Sequence, residues 1–152
     1  MSKLVYRLKT LFDSYDLSTV TGQQALEISK TQLGRYLSGF YVPSLKNAIK
    51  ICDYFDCSLD YLLGIDEEKN RFGNFEEPNF EIFSKRFLQI LSEHNLSIYQ
   101  VAKKLEINRN NWTYWNKKKT LPTLETIYKL AKEFEVSAEF LIGRTKIKKG
   151  SL

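Results

Sequence analysis

The chain has 152 residues, of which 43% are hydrophobic and 14% aromatic, so it can bury the core of one ordinary domain or of two small ones. It has neither an apolar run long enough for a membrane span nor a cleavable apolar segment after Met1, so we expect a cytoplasmic protein. The net charge of +5 divides into +1 over residues 1–65, −3 over residues 66–79 and +7 over residues 80–152. Such a basic excess indicates either a polyanionic partner, such as nucleic acid, or an ordinary lysine-rich surface.

The first predicted elements are two helices. Four apolar side chains recur at the spacing of one helix face, namely Leu4, Leu8, Leu11 and Phe12. Ser18 then has the position of an N-cap for a second helix, because its side chain can accept hydrogen bonds from the first turn. Gly22 falls in the middle of that helix, where glycine costs roughly 1 kcal/mol relative to alanine. We therefore expect the second helix to be irregular or shifted in register.

The stretch "SKTQLGRYLSGFYVPS" predicts a third helix that begins at about residue 29. Ser29 with Gln32 three residues later is a capping-box pattern. Leu33 and Tyr36 share the inner face of this helix. The remaining side chains of its first half point outward, and they are Lys30, Thr31, Gln32, Gly34 and Arg35.

Two further helices complete the first half of the chain. Pro43 is expected to open the fourth helix, and Ser58 to cap a fifth that ends at Gly64, a residue suited to a left-handed backbone. Cys52 and Cys57 have neither the spacing nor the histidine neighbours of a metal site, and we interpret them as core residues. Five helices in about 60 residues predict a small all-α domain.

Residues 66–79, with the sequence "DEEKNRFGNFEEPN", have the acidic and polar composition of a linker. Fully extended, they would reach ~45 Å at roughly 3.3 Å per residue, more than the ~34 Å between successive major-groove faces of DNA. Phe72, Phe75 and Phe80 leave an alternative open, in which the linker is pinned to a domain.

The second half of the chain repeats the first. A shift of 79 positions aligns residues 4–64 with residues 83–143 without a gap and gives 13 identities in 61 positions, and apolar residues mostly replace apolar residues. The repeat predicts a third helix that begins at about residue 108, with Asn108 and Asn111 as a weaker capping pattern, and it predicts that Trp112 and Trp115 lie in the core. We therefore predict domains at residues 1–65 and 80–145, an acidic linker at 66–79 and a basic tail at 146–152.

The stretches "LEISKTQLGRYLSGFYVPSLKNAIKICDYFDCSLDYLLG" and "LEINRNNWTYWNKKKTLPTLETIYKLAKEFEVSAEFLIG" each resemble a helix-turn-helix domain of the phage-repressor and Cro family, the xenobiotic-response-element family. The resemblance implies an all-α fold of two tandem five-helix lambda-repressor-like DNA-binding domains. It also implies that the second and third helices of each copy form the helix-turn-helix, with the third helix in the major groove of DNA.

The outward side chains of the third helices suit the edges of DNA bases. Arginine and lysine match the acceptors of guanine, asparagine and glutamine can pair with adenine, and the threonine methyl can contact thymine. A plain solvated helix face is the alternative interpretation. The predicted base-reading residues are Lys30, Thr31, Gln32 and Arg35 in the first copy and Arg109, Asn110, Asn111 and Tyr114 in the second.

By the same resemblance, the start of helix 2 and the loop after helix 3 contact phosphates. The predicted phosphate contacts are Ser18, Thr19, Ser38, Gly39 and Tyr41 in the first copy and Ser97, Lys117, Lys118 and Lys119 in the second. Each neutralised phosphate steepens the salt dependence of binding by about one unit on a log-log plot. We therefore expect the second copy to bind DNA with the greater salt dependence.

No pattern indicates an enzyme, because His94 has no cysteine or second histidine nearby, and we expect no catalytic residue, metal site or cofactor. The sequence predicts a bacterial or phage-like transcription regulator, most simply a repressor that occupies double-stranded DNA. One alternative is an antitoxin or protein-interaction adaptor in which one copy binds a protein partner. Another is a homodimer with four reading domains. We expect neither a membrane nor a small-molecule partner.

Overall fold

A computed structural model describes residues 1–69, 71 and 73–149, and these residues form ten α-helices and no strand. The all-α prediction is confirmed. Phe72 and the last three residues of the predicted basic tail lie outside the described residues. Within the described part of the chain, no helix combines the length and the apolar composition that a membrane crossing requires.

The chain divides into two compact units, which we call unit 1 (Met1–Arg71) and unit 2 (residues 73–149 as described). Each unit contains five helices. Unit 1 contains α1 (Leu4–Ser14), α2 (Thr19–Leu26), α3 (Lys30–Leu37), α4 (Leu45–Tyr54) and α5 (Leu59–Leu62). Unit 2 contains α6 (Phe80–Glu93), α7 (Ile98–Lys104), α8 (Asn111–Lys118), α9 (Leu124–Phe134) and α10 (Ala138–Leu141).

Serine side chains cap the helices α2, α5, α7 and α10. Ser18 and Ser97 each accept a hydrogen bond from the backbone N–H three residues later, and both form complete capping boxes. Ser58 and Ser137 cap α5 and α10 in the same way. The predicted N-caps Ser18 and Ser58 are confirmed, and their counterparts in the repeat, Ser97 and Ser137, have the same role. A short side-chain acceptor satisfies N–H groups that have no partner within the helix.

The fourth helix of each unit begins two residues later than its proline. The N-caps are Ser44 and Thr123, so α4 begins at Leu45 and α9 at Leu124. The prolines therefore precede the helices rather than open them. At the end of α5 and of α10, Gly64 and Gly143 have φ angles of 76° and 84°, as expected for a left-handed helix end.

The expectation of an irregular second helix is wrong. Helix α2 runs without a break through Gly22, which is buried. A Cβ atom at this position would lie 3.0 Å from the Phe12 ring and 3.1 Å from Leu33. The glycine is therefore a packing residue where α1, α2 and α3 meet, and the close approach of those helices outweighs its low helix propensity.

Aromatic side chains fill the core of unit 2. Phe83 stacks on Phe87 with ring centroids 5.6 Å apart, and Trp115 meets Phe83 edge-on at 6.0 Å. Trp112 contacts Phe87 at 5.4 Å but is only half-buried, whereas Trp115 is buried. The prediction that both tryptophans belong to the core is thus confirmed for Trp115 and holds in part for Trp112.

One arginine of the first helix anchors the last helix in each unit. The Arg7 guanidinium donates to the backbone carbonyls of Tyr61 and Asp66. The Arg86 guanidinium donates to the carbonyl of Phe140 and, at 2.9 Å, to that of Thr145. Burial lowers the pKa of Arg86 from its ordinary value. Each guanidinium satisfies two carbonyls that would otherwise lack these partners, so it holds the chain after α5 or α10 against α1 or α6.

The first part of the predicted linker contacts unit 1. The Arg7 guanidinium binds the Glu67 carboxylate at 2.8 Å, and the Lys3 ammonium forms an ion pair with the same carboxylate. Arg71 donates from Nε to the Cys57 carbonyl at 2.9 Å. Glu67 and Arg71 are therefore held against unit 1.

The second part contacts unit 2. The backbone N–H groups of Glu76 and Asn79 donate to the carbonyls of Arg144 and Ile142, both at 2.8 Å. The Phe75 ring lies 5.3 Å from the Arg144 guanidinium. For the described residues of the predicted linker, these contacts favour the pinned alternative.

Candidate nucleic-acid interface

The start of α3 is held by two side chains, that of its N-cap residue Ser29 and that of Gln23 in α2. Ser29 Oγ accepts from the N–H of Gln32 at 3.2 Å, and the Gln23 side-chain carbonyl accepts from the N–H of Lys30 at 2.7 Å. Two of the N–H groups that an isolated helix leaves without partners are thereby satisfied. The role of Gln23 was not predicted from the sequence, because a contact between residues seven positions apart depends on how α2 and α3 pack.

The inner face of α3 is anchored in the core. Leu33 and Tyr36 are buried, as predicted, and the Tyr36 hydroxyl accepts a hydrogen bond from Asn47 of α4 at 2.9 Å. A helix fixed at its start and along its inner face presents its outer side chains in defined positions. Lys30, Thr31, Gln32 and Arg35 are all exposed on that outer face.

A groove opens between the start of α2 and the outer face of α3, and we call it the unit 1 groove. Its lining brings together three of the predicted base-reading residues and two of the predicted phosphate contacts with two further residues. It is lined by Thr19, Lys30, Thr31, Gly34, Arg35, Ser38 and Phe40. Gln32, Ser18, Gly39 and Tyr41 do not line it. Phe40 was missed, because an apolar residue carries no sequence signal for DNA contact.

The loop after α3 is tied to Arg35. The backbone N–H groups of Phe40 and Tyr41 both donate to the Arg35 carbonyl, at 2.9 and 3.2 Å. The Arg35 guanidinium lies 5.3 Å from the centre of the Tyr41 ring, and the Phe40 ring meets Tyr41 edge-on at 4.9 Å. These contacts join Arg35, Phe40 and Tyr41 into one cluster. Gly39 has a φ angle of 76° and donates its N–H to Tyr36, so this N–H already has a partner within the unit.

The predicted start of the third helix of unit 2 at about residue 108 is wrong. Helix α8 begins at Asn111, and the Asn108 side chain accepts from the N–H of Asn110 at 2.9 Å instead of capping a helix. Asparagine readily binds its own backbone two residues on, and this turn competes with the first helical turn. Arg109 and Asn110 therefore lie in a turn before the helix, exposed, whereas Tyr114 is exposed on α8 itself.

The three lysines at the end of α8 have different surroundings. Lys117 and Lys118 are exposed in the last turn of α8. The negative end of the helix dipole stabilises positive charges there. Lys119 follows with a φ angle of 53°, and its ammonium lies 3.7 Å from the Glu81 carboxylate and 5.6 Å from the centre of the Phe80 ring. Lys117 and Lys118 are thus the more available of the three for a phosphate.

The remaining candidates for chemistry have structural partners. The His94 Nδ1 atom hydrogen-bonds to the Ile90 carbonyl at 2.9 Å, and its ring packs on Phe134. Cys52 and Cys57 are fully buried, which confirms their assignment to the core. Among residues 1–69, 71 and 73–149, no group of three or more histidine, cysteine, aspartate and glutamate side chains could hold a metal ion.

Two protein-family models match the chain. The family described as "Helix-turn-helix" matches residues 15–62, and the family described as "Helix-turn-helix domain" matches residues 84–147. The first match includes α2 and α3, and the second includes α7 and α8. No curated protein and no solved structure matches the chain at a significant level.

Proposed function

The chain belongs to the Cro/repressor-like helix-turn-helix family and carries two of its domains in tandem, and on this premise we propose that it represses transcription by binding two major-groove half-sites of double-stranded DNA. Two such domains support a DNA-binding regulator, and families of this kind are typically not enzymes. In this proposal, α3 reads one half-site, and α8 with the turn before it reads the other.

One observation carries the proposal: each unit presents exposed polar side chains next to a helix whose inner face is buried, on α3 itself in unit 1 and on α8 with the turn before it in unit 2. Leu33 and Tyr36 bury the inner face of α3, and Trp115 buries that of α8. The outward sets each contain one arginine, Arg35 or Arg109, together with side-chain amides. A well-placed bidentate contact to a base contributes about 1–3 kcal/mol of discrimination against the wrong base, so the rigid support matters for specificity.

The tandem arrangement supplies affinity as well as specificity. Once one unit is bound, the other is held near the DNA at an effective concentration of order mM, so two weak contacts combine into a strong one. Two units with different outward residues would read an asymmetric site. Occupation of a promoter by such a complex blocks polymerase without any further component, which makes repression the simplest regulatory outcome.

The first experiment identifies the site. The full-length chain is incubated at low salt with a library of random DNA duplexes, and the retained duplexes are sequenced. We expect a bipartite motif with half-sites about one helical turn apart. Arg35→Ala and Arg109→Ala should each weaken binding to this motif, whereas Lys9→Ala, which removes the same charge from the exposed face of α1, should not.

Two outcomes would contradict the proposal. A single short motif that is lost on Arg109→Ala and unaffected by Arg35→Ala would show that only unit 2 reads DNA. If no duplex is enriched at low salt, the antitoxin or adaptor interpretation replaces DNA binding. Sedimentation of the chain with and without the enriched duplex would show in addition whether a homodimer binds.

A further inference from the structure

Arg71, the residue at which unit 1 ends, is attached to α4 and to the turn after that helix. Its Nε atom donates to the Cys57 carbonyl at 2.9 Å, and its Nη2 atom donates to the Asp53 carboxylate at 2.5 Å. The Asp56 carboxylate lies 3.7 Å from the same Nε. The Arg71 side chain is only 16% exposed, so these contacts are better shielded from water than an ordinary surface ion pair. Arg71 therefore attaches the chain firmly to unit 1.

The chain is attached to unit 2 a few residues later. The backbone N–H of Glu76 donates to the Arg144 carbonyl, and the Arg144 Nε atom donates back to the Glu76 carbonyl, both at 2.8 Å. The Phe75 ring lies 5.3 Å from the guanidinium of Arg144, which is a buried residue. Two reciprocal hydrogen bonds and a ring contact thus attach residues 75 and 76 to the chain after α10.

The two attachment points leave a connection that is much shorter than the linker predicted from the sequence. Arg71 and Phe75 are four residues apart, and the chain between them, which we call the tether, spans at most ~14 Å at roughly 3.6 Å per residue. Residues 66–79 would reach ~45 Å if the whole segment were free and extended, at roughly 3.3 Å per residue. The attachments therefore remove about two thirds of the reach that the sequence offers.

A short tether limits the spacings of half-sites that both units can occupy together. Each base pair added between the half-sites moves one of them about 3.4 Å along the duplex and turns it about 34° around the axis. A tether of ~14 Å can compensate for few such steps, whereas a free linker can compensate for many. The base contacts of α3 and α8 cannot make this selection, because each helix reads only its own half-site.

We propose that Arg71 is a positioning residue that sets the half-site spacing by keeping the tether short; this inference rests on the proposed function. Without Arg71, the last attachment to unit 1 moves back to Lys69, whose ammonium lies 5.1 Å from the centre of the Tyr15 ring, or to Glu67, which binds Arg7. The tether then has six or eight residues instead of four. Because the effective concentration falls roughly as the −3/2 power of tether length, it decreases about two- to threefold.

The test measures the dissociation constant of the full-length chain by fluorescence anisotropy, for the enriched duplex and for duplexes whose half-site spacing is changed one base pair at a time. The unsubstituted chain should lose affinity at least about tenfold when the spacing is lengthened by about three base pairs, since it forfeits bivalent binding. Arg71→Ala should bind the best spacing about two- to threefold more weakly and lose less than about threefold over the same change.

A second variant lengthens the tether without altering either attachment point. Insertion of Gly-Ser-Gly-Ser between Gly73 and Asn74 doubles the tether to eight residues and should give the same flattened dependence on spacing as Arg71→Ala. Lys9→Ala is the control, because it removes one positive charge from the exposed face of α1 and leaves the tether as it is. Its dependence on spacing should match that of the unsubstituted chain.

The outcomes separate this inference from the function on which it rests. If the insertion leaves the dependence on spacing unchanged, the tether does not set the spacing, and the inference is overturned whatever Arg71→Ala does. If only the insertion flattens it, Arg71 is not the residue responsible. On duplexes with one half-site scrambled, Arg71→Ala should bind like the unsubstituted chain, and an equal loss there would show a general role in the fold instead. If the unsubstituted chain binds these scrambled duplexes as tightly as the enriched one, the two-site function fails and the inference fails with it.

Discussion

Helices α3 and α8 occupy the same place in the repeat but do not begin and end at equivalent residues. A shift of 79 positions would carry α3 to residues 109–116, whereas α8 spans Asn111–Lys118. The fifth helices, Leu59–Leu62 and Ala138–Leu141, match without any offset. In the other three helix pairs only one end differs, by three residues at the start of α6 and by one residue at the ends of α7 and α9. The element that faces DNA in the proposed function is thus the one displaced at both ends, by two residues each.

The difference has local causes at both ends. At the start, Ser29 caps α3 directly, while Asn108 forms a turn that delays α8. At the end, α3 finishes before Gly39, which adopts a left-handed conformation, while the lysines of α8 continue the helix to Lys118. The buried residues fix which face of the helix points inward, and the residues at the ends fix how far it extends. Two helices can therefore turn the same face inward and still differ in where they begin and end.

The largest expected effect concerns the anchoring arginines. Arg86→Ala leaves two carbonyls without their partner and should lower the free energy of unfolding of unit 2 by about 3 kcal/mol. Both tryptophans of the chain lie in unit 2, so tryptophan fluorescence during urea unfolding reports that unit. Arg7→Ala should leave the fluorescence transition in place and shift only the part of the circular dichroism transition that belongs to unit 1.

Lys85→Ala is the matched control for Arg86→Ala, because Lys85 is the exposed neighbour on α6. Equal fluorescence midpoints for the two variants would contradict the anchoring role. A fluorescence shift in Arg7→Ala as large as that in Arg86→Ala would show that the two units do not unfold as separate parts.

The next effect concerns the cations of α8. Replacement of Lys117 and Lys118 by glutamine should reduce the slope of log K against log salt by about two units, since each phosphate contact contributes about 0.9 units. The measurement is the anisotropy titration of the enriched duplex. The same charge change at Lys129 and Lys132 of α9 serves as the control, and equal slopes in the two double variants would place the phosphate contacts elsewhere.

Much of the fold could be predicted because its signals are local or periodic. Apolar residues at helical spacing and the serines before α2, α5, α7 and α10 depend on few neighbours, and the repeat shows these signals twice. The start of α8 could not be predicted because asparagine at residues 108, 110 and 111 allows several competing caps. The prediction at Gly22 failed for another reason. The low helix propensity of glycine is a local property, whereas its packing against Phe12 and Leu33 depends on the tertiary structure.

The candidate site was predictable only in its polar part. The outward residues of α3 follow from the inward placement of Leu33 and Tyr36, and they are exposed in the structure. Gln23 and Phe40 were missed, because one acts through a contact between helices and the other is apolar. A side chain of the wrong chemical class for DNA carries no signal until its position on the groove is known.

A smaller effect separates the two glycines of unit 1. Gly34→Ala should raise the free energy of unfolding of unit 1 by about 0.5–1 kcal/mol, because the added Cβ meets open space and favours the helix. Gly22→Ala should lower it by about 1 kcal/mol, because the Cβ crowds Phe12 and Leu33. Urea unfolding followed by circular dichroism measures both. Equal shifts in one direction would contradict the different roles given to the two positions.

The smallest effect depends on pH. The hydrogen bond and the charge of Lys3 lower the pKa of Glu67 below its ordinary value of 4.5. A carboxylate with a lowered pKa stabilises the folded state above the ordinary pKa and loses this contribution as the pH falls through the lowered value. The stability difference between the unsubstituted chain and Glu67→Gln should therefore be present at neutral pH and disappear in acid. Glu68→Gln is the control. If Glu68→Gln shows the same pH dependence of stability, the contact between Glu67 and Lys3 is not its cause.

The central claim is that the two units read different half-sites of one DNA site. It is tested most directly by measuring the affinity of the unsubstituted chain, Arg35→Ala and Arg109→Ala for the enriched duplex and for two duplexes in which either half-site is scrambled. The account predicts that scrambling one half-site removes the effect of Arg35→Ala alone, and that scrambling the other removes the effect of Arg109→Ala alone. If both substitutions lose their effect on the same scrambled duplex, the two units do not read separate half-sites.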